Sequence, residues 1–251
     1  MDWKAKYIKY KTKYLILKQT TRQNDIQTAG QEPMILNYFD TLKKKLYPKC
    51  VKNPNESNDK THVYGEMEYE GIEVLWCHVL QINPSIKYFL DIGSGRGKIP
   101  CWFAGLEQIV KSIGIEIVEP RFMDGKKLKS QLEENFPDQT KKIDLLLGDV
   151  GTYNLGLLTS NSPDTLVWIS NLCFGEELAN RVFSQVANQL APGTIVTCST
   201  KPFRHKNKIL DKDNSSLTNT LSKKLKFIKT IKIQMSWWNN LSDVHVYQII
   251  K

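Results

Sequence analysis

Apolar and polar residues alternate along this chain with periods that predict repeated strand–helix pairs. Short apolar runs predict five parallel strands, at 88–92, 112–117, 143–147, 165–169 and 194–198. Helical periodicity predicts helices around the strands, at 66–81, 97–111, 120–135 and 176–190. Two last β-like runs, 227–235 and 244–250, flank a short turn and predict an antiparallel hairpin. Repeated β–α units predict an α/β fold built on a parallel sheet with right-handed crossovers.

The residues before 63 follow a different pattern. Aromatic and apolar residues of segment 1–20 recur at three- and four-residue steps, which predicts an amphipathic helix with lysines on its other faces. A polar linker is predicted at 21–33, helical periodicity around 35–46 and a loop at 52–60. The predicted organisation is therefore a basic helix (1–20), a linker with a short helix (21–62) and a larger domain (63–251).

Charge is concentrated at the N-terminus. The chain carries a net charge of +9, and residues 1–22 hold seven basic side chains against the single acidic Asp2. Such a basic end predicts a polyanionic partner, nucleic acid first and an acidic membrane surface second, with a solubilising tail as the alternative. The candidate nucleic-acid contacts are Lys4, Lys6, Lys9, Lys11, Lys13 and Lys18.

Other features exclude several classes of protein. No apolar run reaches the roughly 20 residues of a transmembrane helix, and the N-terminus lacks the apolar core of a signal peptide. Five cysteines form no C-x-x-C pair and predict free thiols in a reducing compartment, not a secreted protein. The four histidines and the cysteines have no metal-ligand spacing, so no metal site is expected.

A glycine-rich loop follows the first predicted strand. Asp91 closes the strand, and the spacing G-x-G-x-G follows, with Lys98 where a dinucleotide fingerprint would continue. Glycines let the backbone turn sharply and let a ligand approach closely. The replacement of the last fingerprint glycine by Lys98, together with the acidic residue just before the glycines, favours S-adenosylmethionine over a dinucleotide as the cofactor. The predicted cofactor contacts of the loop are Asp91, Gly93, Ser94, Gly95, Gly97 and Lys98.

Acidic residues also end the next two strands. Glu116, at the end of the second strand, is placed to accept hydrogen bonds from ribose hydroxyls. Asp149 follows the third strand and is placed for the exocyclic amine of adenine, with Val150 against the ring. Each residue alone could simply cap a helix or turn. Three acidic residues at successive strand ends favour a cofactor site.

Seven motifs, in order from about residue 63 to 250, resemble those of the DOT-type (disruptor of telomeric silencing, non-SET) histone lysine methyltransferases. They are Tyr64-Gly65-Glu66, Asp91–Lys98, Gly114-Ile115-Glu116, Gly148-Asp149, Ser170–Gly175, Ser199–Phe203 and Ser236-Trp237. The resemblance implies the class I methyltransferase fold: a Rossmann-like seven-stranded sheet with a terminal antiparallel hairpin, preceded here by a small helical segment. It also implies methyl transfer from S-adenosylmethionine, with S-adenosylhomocysteine as product, to a core-domain lysine of histone H3 in nucleosomes.

The resemblance assigns further residues. Tyr64, Gly65, Glu66 and Met67 fall in the loop over the cofactor, and Ser170 and Asn171 fall beside its methyl group. The implied lysine channel contains Met67, Trp168, Leu172, Phe174, Ser199 and Trp237, although Trp168 and the other aromatics fit a core position as well. The implied catalytic residues are Ser170, Asn171, Trp237 and His245, and a lone histidine in a terminal strand is also commonly structural.

The chain departs from the family pattern at five of these positions. Ser170 replaces an asparagine, Leu172 an aromatic residue and Met67 a threonine. Val150 stands where an aromatic is usual, and His245 corresponds to a channel tyrosine. These changes leave the cofactor prediction intact. They bear on the number of methyl groups that are added and on the choice of substrate.

Two rival functions fit parts of the sequence. A methyltransferase acting on RNA or DNA fits the basic charge, but Ser170–Cys173 lacks the proline step with which such enzymes stack a base. A catalytically inactive chromatin-binding module fits the altered channel residues. The basic N-terminus also resembles those of giant DNA virus proteins. This suggests a viral family member, located in the host nucleus or a cytoplasmic virus factory.

Overall fold

A seven-stranded sheet organises the molecule. The computed structural model describes residues 31–45, 66–202, 221, 223–236 and 241–250. The strands lie in the order β3-β2-β1-β4-β5-β7-β6, where β1–β5 are parallel and β7 pairs antiparallel with both β5 and β6. The predicted hairpin therefore completes the sheet, and the predicted fold class is confirmed.

The elements follow the predicted alternation. The strands are β1 (Tyr88–Ile92), β2 (Lys111–Glu116), β3 (Ile143–Leu147), β4 (Thr165–Ile169), β5 (Ile195–Cys198), β6 (Leu225–Ile233) and β7 (Ser242–Ile249). The α-helices are α1 (Gln31–Lys45), α2 (Tyr69–Leu80), α3 (Lys98–Ala104), α4 (Glu119–Glu133), α5 (Pro137–Thr140), α6 (Leu155–Leu158) and α7 (Glu176–Gln189). A 3-10 turn at Val150–Thr152 follows β3. The N-terminal helix predicted at 1–20 lies outside the described residues.

Apolar side chains cover both faces of the sheet. Phe89 and Trp168 point to a first face, which α1, α2 and α3 cover. Leu90, which follows Phe89, and Val167, which precedes Trp168, point to a second face. Helices α6 and α7 cover that face. Because the central parallel strands are buried on both faces, their sequences are nearly continuous apolar runs.

Helix α1 is part of this packing. Its Tyr38 is fully buried and donates a hydrogen bond of 2.6 Å to the carbonyl oxygen of Cys101. Helix α3 ends at Ala104, seven residues before the predicted end, and α1 crosses just beyond it. A Cβ on Gly105 would lie 2.6 Å from the Tyr38 ring, so only glycine permits this crossing.

Within the described residues, no helix is long and apolar enough to cross a bilayer, and no cluster of side chains suits a metal ion. The four described cysteines are free thiols, of which Cys101 and Cys198 are buried.

Candidate cofactor cleft

A cleft of about 270 Å³ opens where the strand order reverses. Strands β1 and β4 are neighbours, but the chain continues from β1 to one side of the sheet and from β4 to the other. Ligands of open α/β sheets bind at the carboxyl ends of the strands beside such a reversal. Of the predicted cofactor residues, Gly93, Glu116, Asp149, Val150 and Ser170 line this cleft.

The glycine loop takes the backbone conformations that its sequence predicts. Gly93, Gly95 and Gly97 have left-handed φ angles of 82°, 54° and 72°. The N–H groups of Gly93 and Ser94 donate to the carbonyl of Ile115, which holds the loop on β2. The Ser94 side chain fills the space beside Gly114, so it faces the sheet. The loop is thus fixed to the sheet and ends as the start of α3.

Glu116 is bonded to the protein through both carboxylate oxygens. Oε2 accepts the Gly95 N–H at 2.6 Å, and Oε1 accepts the Val118 N–H at 2.8 Å. Each carboxylate oxygen has a second acceptor position. The side chain therefore braces the glycine loop and still offers lone pairs to the hydroxyls of a ribose.

Asp91 is in the opposite situation. It is 1% exposed, and neither carboxylate oxygen has a hydrogen-bond partner in the described part of the chain. Burial raises the pKa of its carboxyl group well above the ordinary value, and the nearby carboxylates of Glu116 and Glu66 raise it further. A buried carboxyl group with no partner is costly unless a ligand supplies one. The ammonium group of an amino-acid ligand would do so, and S-adenosylmethionine carries one, so the residues present fit this cofactor.

Lys98 lies behind the loop, where it holds the chain segment ahead of α2. Its Nζ is 3.5 Å from Glu66 Oε2 and 3.7 Å from Glu68 Oε2, and it lies 4.5 Å from the centre of the Tyr69 ring. The side chain is 7% exposed, so these charges are poorly screened. Lys98 therefore joins the glycine loop to residues 66–69.

Residues 66–68 also pair with the chain just after β6. The Glu66 N–H donates to Ser236 Oγ at 2.9 Å, and the Ser236 N–H donates to the Glu66 carbonyl at 2.8 Å. Met67 faces Met235 in this short antiparallel bridge. The two segments that the family resemblance places over the cofactor and in the channel are thus bonded to each other. Tyr64, Gly65 and Trp237, beside them in the sequence, lie outside the described residues.

The β3 end of the cleft is held from α7. Asp149 Oδ1 accepts the Gly151 N–H at 2.8 Å, and Oδ2 accepts from Arg181 Nη2 at 2.8 Å. Val150 is buried, whereas Ile117 is 65% exposed and lines the same part of the cleft. Two aliphatic side chains are thus available to an adenine ring, and a carboxylate lies beside them.

The segment after β4 forms the wall nearest the glycine loop. Ser170 lines the cleft, and a Cβ on Gly93 would lie 3.8 Å from the Ser170 Cβ. Asn171 is buried, and its side-chain amide donates to the Thr200 carbonyl at 2.9 Å and accepts the Thr200 N–H at 2.9 Å. The predicted catalytic Asn171 therefore braces the ends of β4 and β5 with its whole amide.

The comparisons with known proteins agree with this geometry. The family model described as "Histone methylation protein DOT1" matches residues 47–248. The chain belongs to the DOT1 family.

One DOT1-type relative is much longer than this chain. The "Histone-lysine N-methyltransferase, H3 lysine-79 specific" of Caenorhabditis elegans is 24% identical over 199 residues, which are 76% of this chain and 20% of that protein. The chain thus spans about a fifth of the length of this relative.

Solved structures show the fold of the DOT1-family chain. The glycopeptide N-methyltransferase MtfA, complexed with (S)-adenosyl-L-methionine, has a TM-score of 0.50 at 14% identity and covers 72% of this chain and 94% of its own. Cofactor-bound Rv0187 from MTB has a TM-score of 0.50 at 11% identity, covering 92% and 95%. Family and fold together are those of S-adenosylmethionine-dependent methyltransferases, and the predicted cofactor is confirmed.

The residues predicted for the DOT1-type lysine channel do not all lie together. Leu172 and Phe174 line the cleft, and Ser199 follows β5. Met67 and Trp168 are 2% exposed and belong to the apolar cluster on the first face of the sheet.

His245 points to the other face, because it pairs in register with Cys198, whose side chain belongs to the second cluster. Its Nδ1 lies 3.0 Å from Thr230 Oγ1, and burial, with a smaller effect of Lys201, lowers its pKa. Strand alternation places Val244, not His245, on the face of Trp168. The contacts of His245 are those of a structural histidine.

Several cleft residues had no place in the sequence prediction. Ile117 was predicted as the last residue of the second strand, and β2 ends one residue earlier, at Glu116; an apolar residue next to the acidic strand end was the available signal. Arg121, Leu178, Arg181 and Val182 also line the cleft. Arg181 lies 32 residues from the Asp149 it contacts, on the polar side of a helix, and nothing in the sequence pattern marks it.

Proposed function

We propose that this DOT1-family chain transfers methyl groups from S-adenosylmethionine to a lysine in the core domain of histone H3 within nucleosomes. Family membership supports the proposal, as does the name of the C. elegans relative. The observation that carries it is the position of Ser170–Gly175. This segment, which resembles the family motif beside the methyl group, forms a wall of the cleft at the glycine loop.

Each part of the donor has a matching group in the chain. Asp91 would accept from its ammonium group, Glu116 from its ribose hydroxyls and Asp149 from its adenine amine, with Val150 and Ile117 against the ring. Bound in this way, the donor supplies a sulfonium methyl group to a nucleophile. The protein's contribution is orientation, because an in-line displacement gains much of its rate from placement.

The target lysine must attack as a free amine, although its pKa in water is about 10.4. Leu172 and Phe174 line the cleft beside Ser170 and make this region apolar. An apolar environment disfavours the ammonium form and so lowers the pKa of an entering lysine. An aromatic wall still attracts the cationic methylated product.

A nucleosome would also account for the basic charge. Lysines of segment 1–20 and the basic side chains of residues 204–208, outside the described residues, are the proposed contacts with DNA phosphates. Lys43, Lys44 and Lys45, in the last turn of α1, would add to them. Each neutralised phosphate contributes a salt-dependent increment of affinity without reading sequence. A viral origin and a nuclear or virus-factory location remain parts of this proposal.

Tritiated methyl transfer to nucleosomes, free histones and RNA, run side by side, tests the proposal. We expect label on histone H3 of nucleosomes, with little on free histones or RNA. Label on RNA, or no label on any substrate by a protein that binds the donor, would overturn it in favour of a nucleic-acid methyltransferase or an inactive module.

A truncation tests the role of the basic segment. Deleting residues 1–20 should weaken nucleosome binding and leave donor binding unchanged, because the cleft residues all follow residue 90. Gel-shift titration at physiological salt and calorimetry with the donor measure the two affinities. Unchanged nucleosome affinity would contradict the DNA-contact part of the proposal.

A further inference from the structure

Helix α7 holds the β3 end of the cleft through three polar side chains on one face. Arg181, Gln185 and Gln189 are spaced four residues apart, so they project from the same side of the helix. Gln185 Nε2 donates to the carbonyls of Val150 and Tyr153, at 2.8 and 3.0 Å. Gln189 Oε1 accepts the N–H of Leu155 at 2.9 Å. The segment 149–155 is therefore held from α7, in addition to the bond of 2.6 Å that the Tyr153 hydroxyl donates to the Leu147 carbonyl at the end of β3.

Arg181 is the member of this row that reaches the cleft. Its Nη2 donates to Asp149 Oδ2 at 2.8 Å, while Asp149 Oδ1 accepts the Gly151 N–H. One bond to each oxygen fixes the plane of the carboxylate as well as its position. Both oxygens keep an acceptor position, because a carboxylate oxygen has two lone pairs. Asp149 and Arg181 line the same cleft as Val150 and Ile117.

A fixed carboxylate distinguishes two purines that have the same shape. The 6-amino group of adenine can donate to it, whereas the 6-oxo group of hypoxanthine has no proton to give and places an oxygen against a negative oxygen. Sites built to bond a substrate group reject the analogue that lacks it, because the protein group is then left unpaired. A carboxylate that could rotate away would lose this discrimination.

We propose that Arg181 is a positioning residue which fixes Asp149 so that the cleft selects an aminopurine, adenine, over an oxopurine. The proposal rests on the proposed function of the cleft as the donor site. Arg181 acts through Asp149, and its half-exposed side chain also lines the cleft. Replacement of Arg181 should therefore reduce discrimination more than it reduces affinity for the adenine ligand.

Isothermal titration calorimetry of the full chain tests this with S-adenosylhomocysteine and its 6-oxo analogue, S-inosylhomocysteine. We expect the wild-type protein to bind the adenine ligand about tenfold or more tightly than the oxo analogue, the size of one charge-assisted hydrogen bond. In Arg181→Gln this ratio should fall to about twofold to threefold. Arg181→Lys, which keeps a charged donor, should recover part of it.

Two further variants make the result specific. Lys232→Gln breaks an ion pair of the same length, that of Lys232 with Asp243 at 2.8 Å, away from the cleft, and should leave the ratio unchanged. Asp149→Asn can turn its NH2 group toward a 6-oxo oxygen and should bring the ratio near or below one. Thermal unfolding confirms that each variant is folded.

The outcomes separate the two proposals. An Arg181→Gln protein that loses affinity for both ligands equally, or for neither, overturns the positioning role and leaves the donor site intact. A wild-type protein that binds neither ligand overturns the proposed function itself.

Discussion

The two ends of the cleft are built in opposite ways. On the side of β2 and β3, Glu116 and Asp149 have protein partners on every carboxylate oxygen. Behind the β1 end, next to the lining residues Ile92 and Gly93, Asp91 is buried and has no partner on either oxygen among the described residues. The first side thus has its carboxylates bonded within the protein, whereas the second has a buried carboxyl group that a ligand could pair.

This difference predicts that one end of the cleft determines which ring binds and that the other end supplies most of the affinity. A group already fixed by the protein loses little freedom on binding, so the β3 end can select a ring. A buried carboxyl group without a partner destabilises the free protein and gains a strong, charge-assisted bond when an ammonium arrives. We therefore expect the β1 end to contribute most of the donor affinity.

The largest effect should follow from Asp91→Asn. The amide cannot make a charge-assisted bond to the donor ammonium, so the Kd for S-adenosylmethionine should rise about 100-fold, equivalent to about 2.7 kcal/mol. The free protein should become no less stable, because the buried carboxyl is removed. Calorimetry and thermal unfolding measure these two changes.

The control for this variant is Asp144→Asn, at the far end of β3, where the carboxylate pairs with Lys111 at 2.6 Å. Its donor affinity should match the wild type. Equal weakening by both substitutions, or none by Asp91→Asn, would remove the contrast between the two ends.

Gly71→Ala should disturb the β1 end through the backbone. A Cβ at Gly71 would lie 2.5 Å from the Gln234 carbonyl oxygen, which accepts the Glu68 N–H. The collision should separate residues 66–68 from the chain after β6 and lower the free energy of unfolding by about 2 kcal/mol. Gly175→Ala, where a Cβ meets nothing within 4 Å, should change it by less than about 0.5 kcal/mol. Urea unfolding measures the free energy of unfolding of both variants. Equal stability of the two variants would contradict the prediction.

The pH dependence of donor binding should reflect Asp91. Its pKa in the free protein is raised well above 3.8, so the folded chain binds more protons than the unfolded chain between 3.8 and that raised value. The free energy of unfolding should therefore fall as pH rises through this window. The donor ammonium favours the carboxylate, so affinity should rise with pH in the same window, by at most about tenfold per pH unit for one proton.

Calorimetry across pH measures this slope, and Asp91→Asn should flatten it. A slope that persists in Asp91→Asn would assign the proton to another group.

The smallest effect should come from Gln185→Met at the β3 end. The variant loses the two bonds to Val150 and Tyr153, and we expect a loss of about 1 kcal/mol in stability with a few-fold weaker donor binding. Gln108→Met is the matched control, since Gln108 Nε2 also donates to two backbone carbonyls, those of Pro84 and Ile86, away from the cleft. It should lose similar stability and no donor affinity. Equal donor affinities of the Gln185→Met and Gln108→Met proteins would show that the contacts of α7 do not position the ring pocket.

The sequence predicted the elements that build the cleft and several of its residues. Apolar runs place β1 to β5 to within about two residues, because buried parallel strands need continuous apolar sequence. Helix α3 was predicted seven residues too long, since the crossing of Tyr38 at Gly105 depends on a helix more than 60 residues away.

Residue roles were harder to predict than positions. Asn171 was assigned to catalysis by resemblance, but its amide is used by Thr200, a contact between two strand ends. His245 and Trp168 were assigned together, and the register of β7 on β5 places them on opposite faces. A one-residue change in register moves every side chain to the other face, and the family resemblance alone does not fix that register.

The sequence by itself determined the fold class, the donor and the acidic strand ends, because glycine spacing, apolar periodicity and residue type are local properties. Only the tertiary structure decided which carboxylates have protein partners: Asp149 is bonded to Arg181 of α7, Glu116 to the glycine loop, and Asp91 to nothing within the described residues. The physical reason is that a side chain's partners and its exposure to water depend on chain segments that meet only when the protein folds.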